Sequence, residues 1–493
     1  MKKLPLWVLI AALPISLLLS CTERSKETTS EPPNFVFILV DDLGWTDLSS
    51  FGSNFYETPN IDALAASGMK FTNAYAACPV CSPTRASIMT GKYPARMEAT
   101  DWFGAPQPDN VDKHWTKDKP LLPAPYLEHM KPEEKTLAEA FKEAGYATFF
   151  AGKWHLGDEE KYYPEAQGFD VNIGGYHRGG PYTGNRYFSP YDNPKMTNGP
   201  EGEHLPDRLA AETASFIEQH KDSSFLAYLS FYSVHTPLMA REDLKAKYEA
   251  KRDSLGLQDK WGEEGDRKHR LVQSHAVYAG MVEAMDQAVG KVLAQLEQSG
   301  VAHNTVVIFM SDNGGLSTSE GHPTTNLPLR AGKGWLYEGG IREPMIVRWP
   351  SVTQEGSESQ VPLTSTDFYP TMLEIAGIEL QPDQHKDGKS FVSTLKGSTE
   401  SVHDAIFWHY PHYGNQGGSP GSAMRKGDWK LIHWYEGNRY ELYNLAKDIG
   451  EEHNLAEEHP DRLASMKDEL HHWVEEVGGK IPQPNPNAAK AQL

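Results

Sequence analysis

Apolar residues are arranged along this chain in two rhythms. Short unbroken runs read as strands buried on both faces: Asn34–Val40, Ala147–Ala151, Phe225–Tyr232, Thr305–Met310 and Pro344–Pro350. Between them lie stretches with helical spacing. Thr136 and Glu139 form a capping-box start for a helix over Leu137–Ala144 that stops at Gly145. A second helix is predicted near Asp207–His220 and a third over Asp367–Ala376. The longest, about Arg270–Ser299, carries Val277, Met281, Met285, Val289, Val292 and Leu296 as one apolar stripe. This alternation predicts an α/β domain with a large, mostly parallel central sheet flanked by helices. Near residue 400 the rhythm changes. Ile406–Tyr410, Trp429–His433 and Tyr440–Tyr443 are short strand-like pieces separated by turn signals, and Leu463–Val477 is amphipathic. They predict a smaller C-terminal α+β subdomain with an antiparallel sheet over 400–480, and the end, 481–493, is expected to fray.

Chemistry-bearing residues gather just past the strand ends. Asp41-Asp42 follows the first run and Asp312-Asn313 follows the run at Thr305–Met310, each shortly before a glycine. In an open parallel sheet the loops at the strands' carboxyl ends meet at one crevice. The two doublets can therefore converge, and four hard oxygen donors suit calcium or magnesium. Either doublet alone is also explained as a strand-end turn capped by Asp or Asn. Lys153 and His155 follow the second run, His235 follows the third, and Lys333 lies in a glycine-rich loop, Gly332–Gly340. The stretch Cys81-Ser82-Pro83-Thr84-Arg85, ending in Thr90-Gly91, holds helix-start and helix-stop residues. Cys81 thus sits at a helix entrance, where free N–H groups and the dipole favour an anion, and Arg85 offers a planar fork one turn on. A buried cysteine is often a small hydrophobe, and Cys78 with Cys81 could form a redox or zinc pair. Neither alternative explains Arg85 and the Thr-Gly ending, and zinc needs a second ligand pair that three cysteines cannot supply.

The Cys81–Arg85 stretch with Thr90-Gly91 resembles the signature of the formylglycine-dependent sulfatases, members of the alkaline phosphatase superfamily. The segments at Lys153-Trp-His155, His235-Thr-Pro237 and Lys333, followed by Tyr337-Glu-Gly-Gly-Ile-Arg342, resemble that family's remaining active-site stretches in the same order. The resemblance implies an alkaline-phosphatase-like sandwich. It also implies that a maturation enzyme oxidises Cys81 to formylglycine (3-oxoalanine), and that Asp41, Asp42, Asp312, Asn313 and residue 81 bind one calcium ion. Arg85, Lys153 and Lys333 then neutralise the sulfate, His235 or Lys333 protonates the leaving alcohol, and His155 takes the proton whose loss lets the aldehyde re-form. For the substrate, His177, Arg178, Arg186 and His322, interleaved with aromatic residues, are candidate contacts to a sulfated carbohydrate. The glycine-rich loop Pro411–Ser422 is expected to lean over the mouth of the site.

Composition narrows the picture. The 493 residues exceed what one core usually serves, and a formal charge of −20 argues against nucleic acid and makes any basic pocket local. Residues 1–20 run from Met1-Lys2-Lys3 through an apolar stretch to Cys21, the pattern of an export signal. The cysteine directly after it resembles a bacterial lipoprotein signal. That implies lipidation of Cys21, a tether over 21–33, a catalytic domain over 34–399 and a membrane-anchored location in the cell envelope. Two other readings stay open. One is a phosphoric or phosphonic monoester hydrolase of the same superfamily; the other is a non-catalytic surface protein that binds sulfated glycans.

Overall fold

The computed structural model describes residues 1–5 and 32–488. Most of the expected export signal, the Cys21 lipidation site and most of the tether fall in residues 6–31, outside the described residues. The strands are β1 (Asn34–Val40), β2 (Met69–Tyr75), β3 (Ala147–Gly152), β4 (Val171–Ile173), β5 (Phe225–Ser230), β6 (Trp261–Glu264), β7 (Arg267–Arg270), β8 (Thr305–Ser311), β9 (Arg342–Arg348), β10 (Ser357–Ser359), β11 (Leu363–Thr364), β12 (Ile406–Tyr410), β13 (Gly421–Lys426), β14 (Trp429–Trp434) and β15 (Arg439–Asn444). The main sheet runs β10-β2-β9-β8-β1-β5-β3-β4, with β11 beside β2.

β1 holds the centre because every one of its residues is buried. Val36, Ile38 and Val40 enter one core, against helices Leu205–Gln219 and Ala276–Gln298. Phe35, Phe37 and Leu39 enter the other, against helices Leu137–Glu143 and Phe368–Ala376. A side chain of this size contributes roughly 1.5–3 kcal/mol when fully buried, so a strand feeding two cores fixes its register firmly.

Strands β8, β1, β5, β3 and β4 are parallel. Val40 pairs with Ser311, Leu39 with Ser230 and Gly152 with Ser230, so these strands end at nearly one level. β9 alone runs against its neighbours β2 and β8. The loop that enters β9 therefore lies at the edge where the parallel strands finish. This is the layered, mostly parallel architecture expected from the sequence.

The long helix starts at Ala276 and not near Arg270, because Arg267–Arg270 pairs with Trp261–Glu264 as a hairpin. The C-terminal sheet is antiparallel and has four strands, β12-β13-β14-β15. β13 begins at Gly421, inside the stretch read as loop. Helix Pro460–Glu476 covers one face of this sheet, and the other packs on Tyr75, Trp335, Leu336 and Ile341 beside the main sheet. The end of the chain does not fray over its described part. Leu122 N donates to Gln483 O at 2.7 Å, and the Asn485 amide donates to the carbonyls of Lys117 and Lys119 at 2.9 Å, so loop carbonyls of the main domain tie the segment down.

Candidate active site

The carboxyl ends of four parallel strands deliver their side chains to one place. Asp41 and Asp42 leave β1, Asp312 and Asn313 leave β8, Lys153 leaves β3, and His235 lies past the end of β5. Gly152 allows the turn into Lys153: its φ is 104°, and a Cβ there would stand 1.8 Å from Ser230 O. Asp42 and His155 are non-glycine residues with left-handed φ, 60° and 59°, a strain of the kind stored at functional sites. Lys333 arrives from the other direction, in the loop entering β9.

Both oxygens of Asp41 accept from Lys153 Nζ, at 2.8 and 2.7 Å. Asp312 Oδ2 accepts from Arg85 Nε at 2.8 Å, and Arg85 Nη2 stands 2.7 Å from the same oxygen. Arg85 Nη1 donates to Lys153 O and Ser230 Oγ, which locks its fork. Asp42 Oδ1 accepts from Lys333 Nζ at 2.6 Å and Asn313 Nδ2 at 2.8 Å. Asp42 Oδ2 and Asn313 Oδ1 are buried with no hydrogen-bond partner. Cys81 opens the helix Cys81–Thr90 after an extended Val80. Ligand atoms of Cys81, Asp41 and Asp312 lie within 4.8 Å of one another. Cys81 Sγ is 3.6 Å from His155 Nδ1, and His155 Nε2 is 3.2 Å from Phe103 O.

Burial sets most of the electrostatics here, and the ion pairs decide where it is outweighed. It pushes Asp41 well above the usual carboxylate range against the pull of Lys153. It works the same way on Asp42, but Lys333, His235 and Lys153 outweigh it and hold that carboxyl low. Burial raises the Cys81 thiol, opposed by Lys153 and Lys333. It lowers His155 well below an ordinary imidazole, with Lys153 adding to the effect. His235 is lowered by burial to about 4 although Asp42 pulls the other way. Lys333 is held well above an ordinary amine by Asp42 in spite of burial.

A cavity of about 460 Å³ opens onto Cys81, His155, His235 and Lys333. His177 and Arg178 line it; Arg186, which is exposed, and His322, whose ring packs on Trp261 at 5.8 Å, are not among its lining residues. Lys153 and Arg85 do not line it either and touch the carboxylates from behind. The walls also include Trp102, Phe103, Tyr182, Glu320, Asn415 and Gln416, which sequence reasoning did not single out. Four of the six had a nearby signal, and Trp102 and Phe103 had none. Tyr182 lies within the aromatic and basic span that holds His177, Glu320 stands two residues before His322, and Asn415 and Gln416 belong to the loop expected over the mouth.

Known proteins resemble this chain over most of its length. Residues 33–378 match the family model described as Sulfatase, and residues 331–479 match one described as N-sulphoglucosamine sulphohydrolase, C-terminal. A sulfatase of Formosa agariphila is 34% identical, with 100% of this chain and 99% of that protein covered. An N-acetylgalactosamine-6-sulfatase of Mus musculus is 30% identical over 89% of this chain and 79% of its own length. The crystal structure of Ps i-CgsB superposes with a TM-score of 0.74 at 29% identity, covering 92% of this chain and 95% of that one. A phosphonate monoester hydrolase of Agrobacterium radiobacter shares the fold at 21% identity and a TM-score of 0.63, covering 90% of this chain and 96% of that one. With the family model spanning most of the chain and a relative 34% identical over its whole length, this protein belongs to the sulfatase family and is a sulfuric ester hydrolase.

Proposed function

We propose that the protein removes sulfate from a sulfated carbohydrate at a centre made of residue 81 in its formylglycine form and one calcium ion. The observation that carries this reading is the pair of stranded oxygens, Asp42 Oδ2 and Asn313 Oδ1, beside Asp41 and Asp312 at the entrance of the Cys81 helix. A buried acceptor without a donor costs about 1–3 kcal/mol. A cation bound by Asp41, Asp42, Asp312, Asn313 and residue 81 removes that cost, and an all-oxygen set of this kind fits calcium. When present, the ion supplies Lewis acidity toward the sulfate oxygens and the hydrated aldehyde supplies the attacking hydroxyl.

The chain's own groups do the rest. Lys153 and Arg85 hold Asp41 and Asp312 in place, while Lys333, which is bonded to Asp42 and lines the cavity, binds the sulfate. Of the two candidates for protonating the leaving alcohol, Lys333 is the one that carries a proton in the free site, since His235 sits at about 4. His235 Nδ1 lies 2.7 Å from Thr236 O, which directs Nε2 into the site as an acceptor. His155 Nε2 is committed to Phe103 O, so its Nδ1 lone pair faces residue 81 and takes the proton released there.

A carbohydrate substrate is supported by the walls, where Trp102 and Tyr182 offer ring faces and His177 and Arg178 offer donors. It is also supported by the relatives, an N-acetylgalactosamine-6-sulfatase and Ps i-CgsB in complex with k-i-k-neocarrahexaose. Cys21 would carry a lipid anchor after export, a point that metabolic labelling with radioactive palmitate decides.

The test is coexpression with a formylglycine-generating enzyme, mass spectrometry of the Cys81 peptide, and release rates on an aryl sulfate, an aryl phosphate and sulfated oligosaccharides. Converted protein that frees sulfate with calcium present is the expected result. Faster release of phosphate, or equal sulfate release by unconverted Cys81 protein, would overturn the reading.

A further inference from the structure

One wall of the cavity carries a charge of the wrong sign for an anion site. Glu320 lies in the loop after the Asp312-Asn313 doublet, with a left-handed φ of 52°. Its Oε2 accepts from Thr236 Oγ1 at 3.0 Å, next to His235. Its Oε1 accepts from Gln416 Nε2 at 3.0 Å and Asn415 Nδ2 at 3.4 Å, both on the loop leaving β12. Among the described residues no cation forms an ion pair with it, yet its charge reaches Lys333 and His235. A carboxylate bonded in this way has lone-pair capacity for about four donors, so one position remains open to the cavity. An amide of similar shape would tie the same loops together without repelling the incoming sulfate. The charge itself therefore has a consequence for what the pocket accepts.

Resting on the sulfatase reading above, we propose that Glu320 is a specificity-determining residue: it accepts an uncharged hydroxyl of the sugar that bears the scissile sulfate and turns away sugars with a second sulfate or a carboxylate on that side. Arg178 gives the pocket its opposite pole. It reaches the cavity from the loop after β4, is exposed, and has no hydrogen bond or ion pair among the described residues. The substrate class is a sugar sulfate whose neighbouring position toward Glu320 is a free hydroxyl.

The experiment compares galactose, N-acetylgalactosamine and glucosamine sulfates, each offered in a monosulfated and a disulfated form. Calorimetry on Cys81→Ser protein reads binding, and kcat/KM on converted protein reads turnover. The monosulfated member is expected to be favoured by about tenfold or more, as like charges at close range require. In Glu320→Gln that ratio falls toward unity, and Glu320→Asp, which keeps the charge, retains it. Should Glu320→Gln not fold, Asn415→Asp adds a carboxylate to the same wall and is expected to widen the ratio by about tenfold. An unchanged ratio in the folded variant, with the parent protein active on an aryl sulfate, overturns the role of Glu320 alone. A parent protein that binds no sugar sulfate and releases sulfate from nothing overturns this inference together with the proposed function.

Discussion

At the carboxyl edge of the sheet, Asp41, Asp42 and Asp312 face Lys153, Lys333 and Arg85, and two oxygens are left without a hydrogen-bond partner, His235 Nε2 standing 3.7 Å from one of them, Asp42 Oδ2. Where the C-terminal sheet meets the main one, a second buried group of charges is arranged differently. Glu338 Oε1 pairs with Lys430 Nζ at 2.9 Å, and its Oε2 accepts from Tyr75 at 2.7 Å and Arg342 at 3.3 Å. Glu451 Oε1 pairs with the same Lys430 at 2.8 Å, and its Oε2 accepts from Glu338 N at 2.6 Å. Each carboxylate oxygen here meets a cation, a hydroxyl or an N–H, although Lys430 approaches Glu451 Oε1 as an ion pair outside hydrogen-bond geometry. Burial acts on both glutamates, but Lys430, Arg342 and Arg425 hold Glu338 down at about 2, whereas burial wins at Glu451 and raises it to about 7. Both groups carry the desolvation cost of buried charge. Only the one with oxygens to spare has capacity for something that is not protein, and this capacity is what separates a site from a staple.

The largest effect that tests this difference lies at the site. Cys81→Ala, measured after coexpression with the maturation enzyme, is expected to reduce sulfate release by about 10⁴-fold or more, because the residue's chemistry has no substitute nearby. Its melting temperature should stay within about 3 °C of the parent. A mutant that kept normal turnover would remove the mechanism.

The junction should behave in the opposite way. Lys430→Met leaves two buried carboxylates with one cation fewer, a loss expected to cost about 3–5 kcal/mol in denaturant unfolding. The specific activity of the protein that remains folded should hold. Pairing the change with Glu451→Gln is expected to restore part of the loss. If Lys430→Met abolished turnover in fully folded protein, the separation of the two groups would be wrong.

Calcium addition gives a smaller, sharper contrast. Free calcium at about a hundred times its dissociation constant should stabilise the protein by about 2.7 kcal/mol, read as a rise in melting temperature that a chelator reverses. Asp42→Asn should lose the response, whereas Lys430→Met should keep it on its lower baseline. Equal calcium shifts in parent and Asp42→Asn would place the ion elsewhere.

How much of this could be read from the chain follows from which contacts are local. The strand tips were legible because β1, β3, β5 and β8 are unbroken apolar runs and their functional residues come immediately afterwards. β2 was missed because Lys70 and Thr72 interrupt its apolar pattern; both are only half-buried. The hairpin of β6 and β7 was missed because its basic residues look like solvated charge, and it shortened the predicted long helix. Lys333 was found through its glycine-rich loop, but its arrival before its strand depends on β9 running backwards, which no residue type announces. Tyr182, Glu320 and Gln416 come from three separate loops, so their meeting is tertiary and leaves no spacing to read. Resemblance supplied the roles of the motif residues and gave little help with the walls.

The smallest expected effect concerns acid, and it asks whether the junction or its surroundings sets the pH limit of the C-terminal sheet. His409 bonds Ser422 Oγ at 2.7 Å and lies 3.1 Å from Lys480 O, and burial lowers it to about 4 despite that carbonyl. His433 is likewise lowered by burial to about 4. An unfolded histidine takes up its proton near 6.5, and these folded ones do so only near 4. Their contribution is thus fully present above about pH 6.5 and is lost as pH falls toward 4. Between pH 7 and pH 5 the unfolding free energy should drop by about 1–2 kcal/mol for each such histidine. His409→Gln, whose amide can reach the same two partners, should flatten that slope in urea titrations at the two pH values. Glu338, held at about 2, carries its charge throughout this window, but burial and the Glu338 charge raise Glu451 to about 7, so Glu451 takes up its proton here and offsets part of the loss; Glu338→Gln should therefore lower stability at both pH values and steepen the fall. The reverse outcome, a slope kept in His409→Gln and lost in Glu338→Gln, would assign the acid sensitivity to the shared lysine and its two carboxylates.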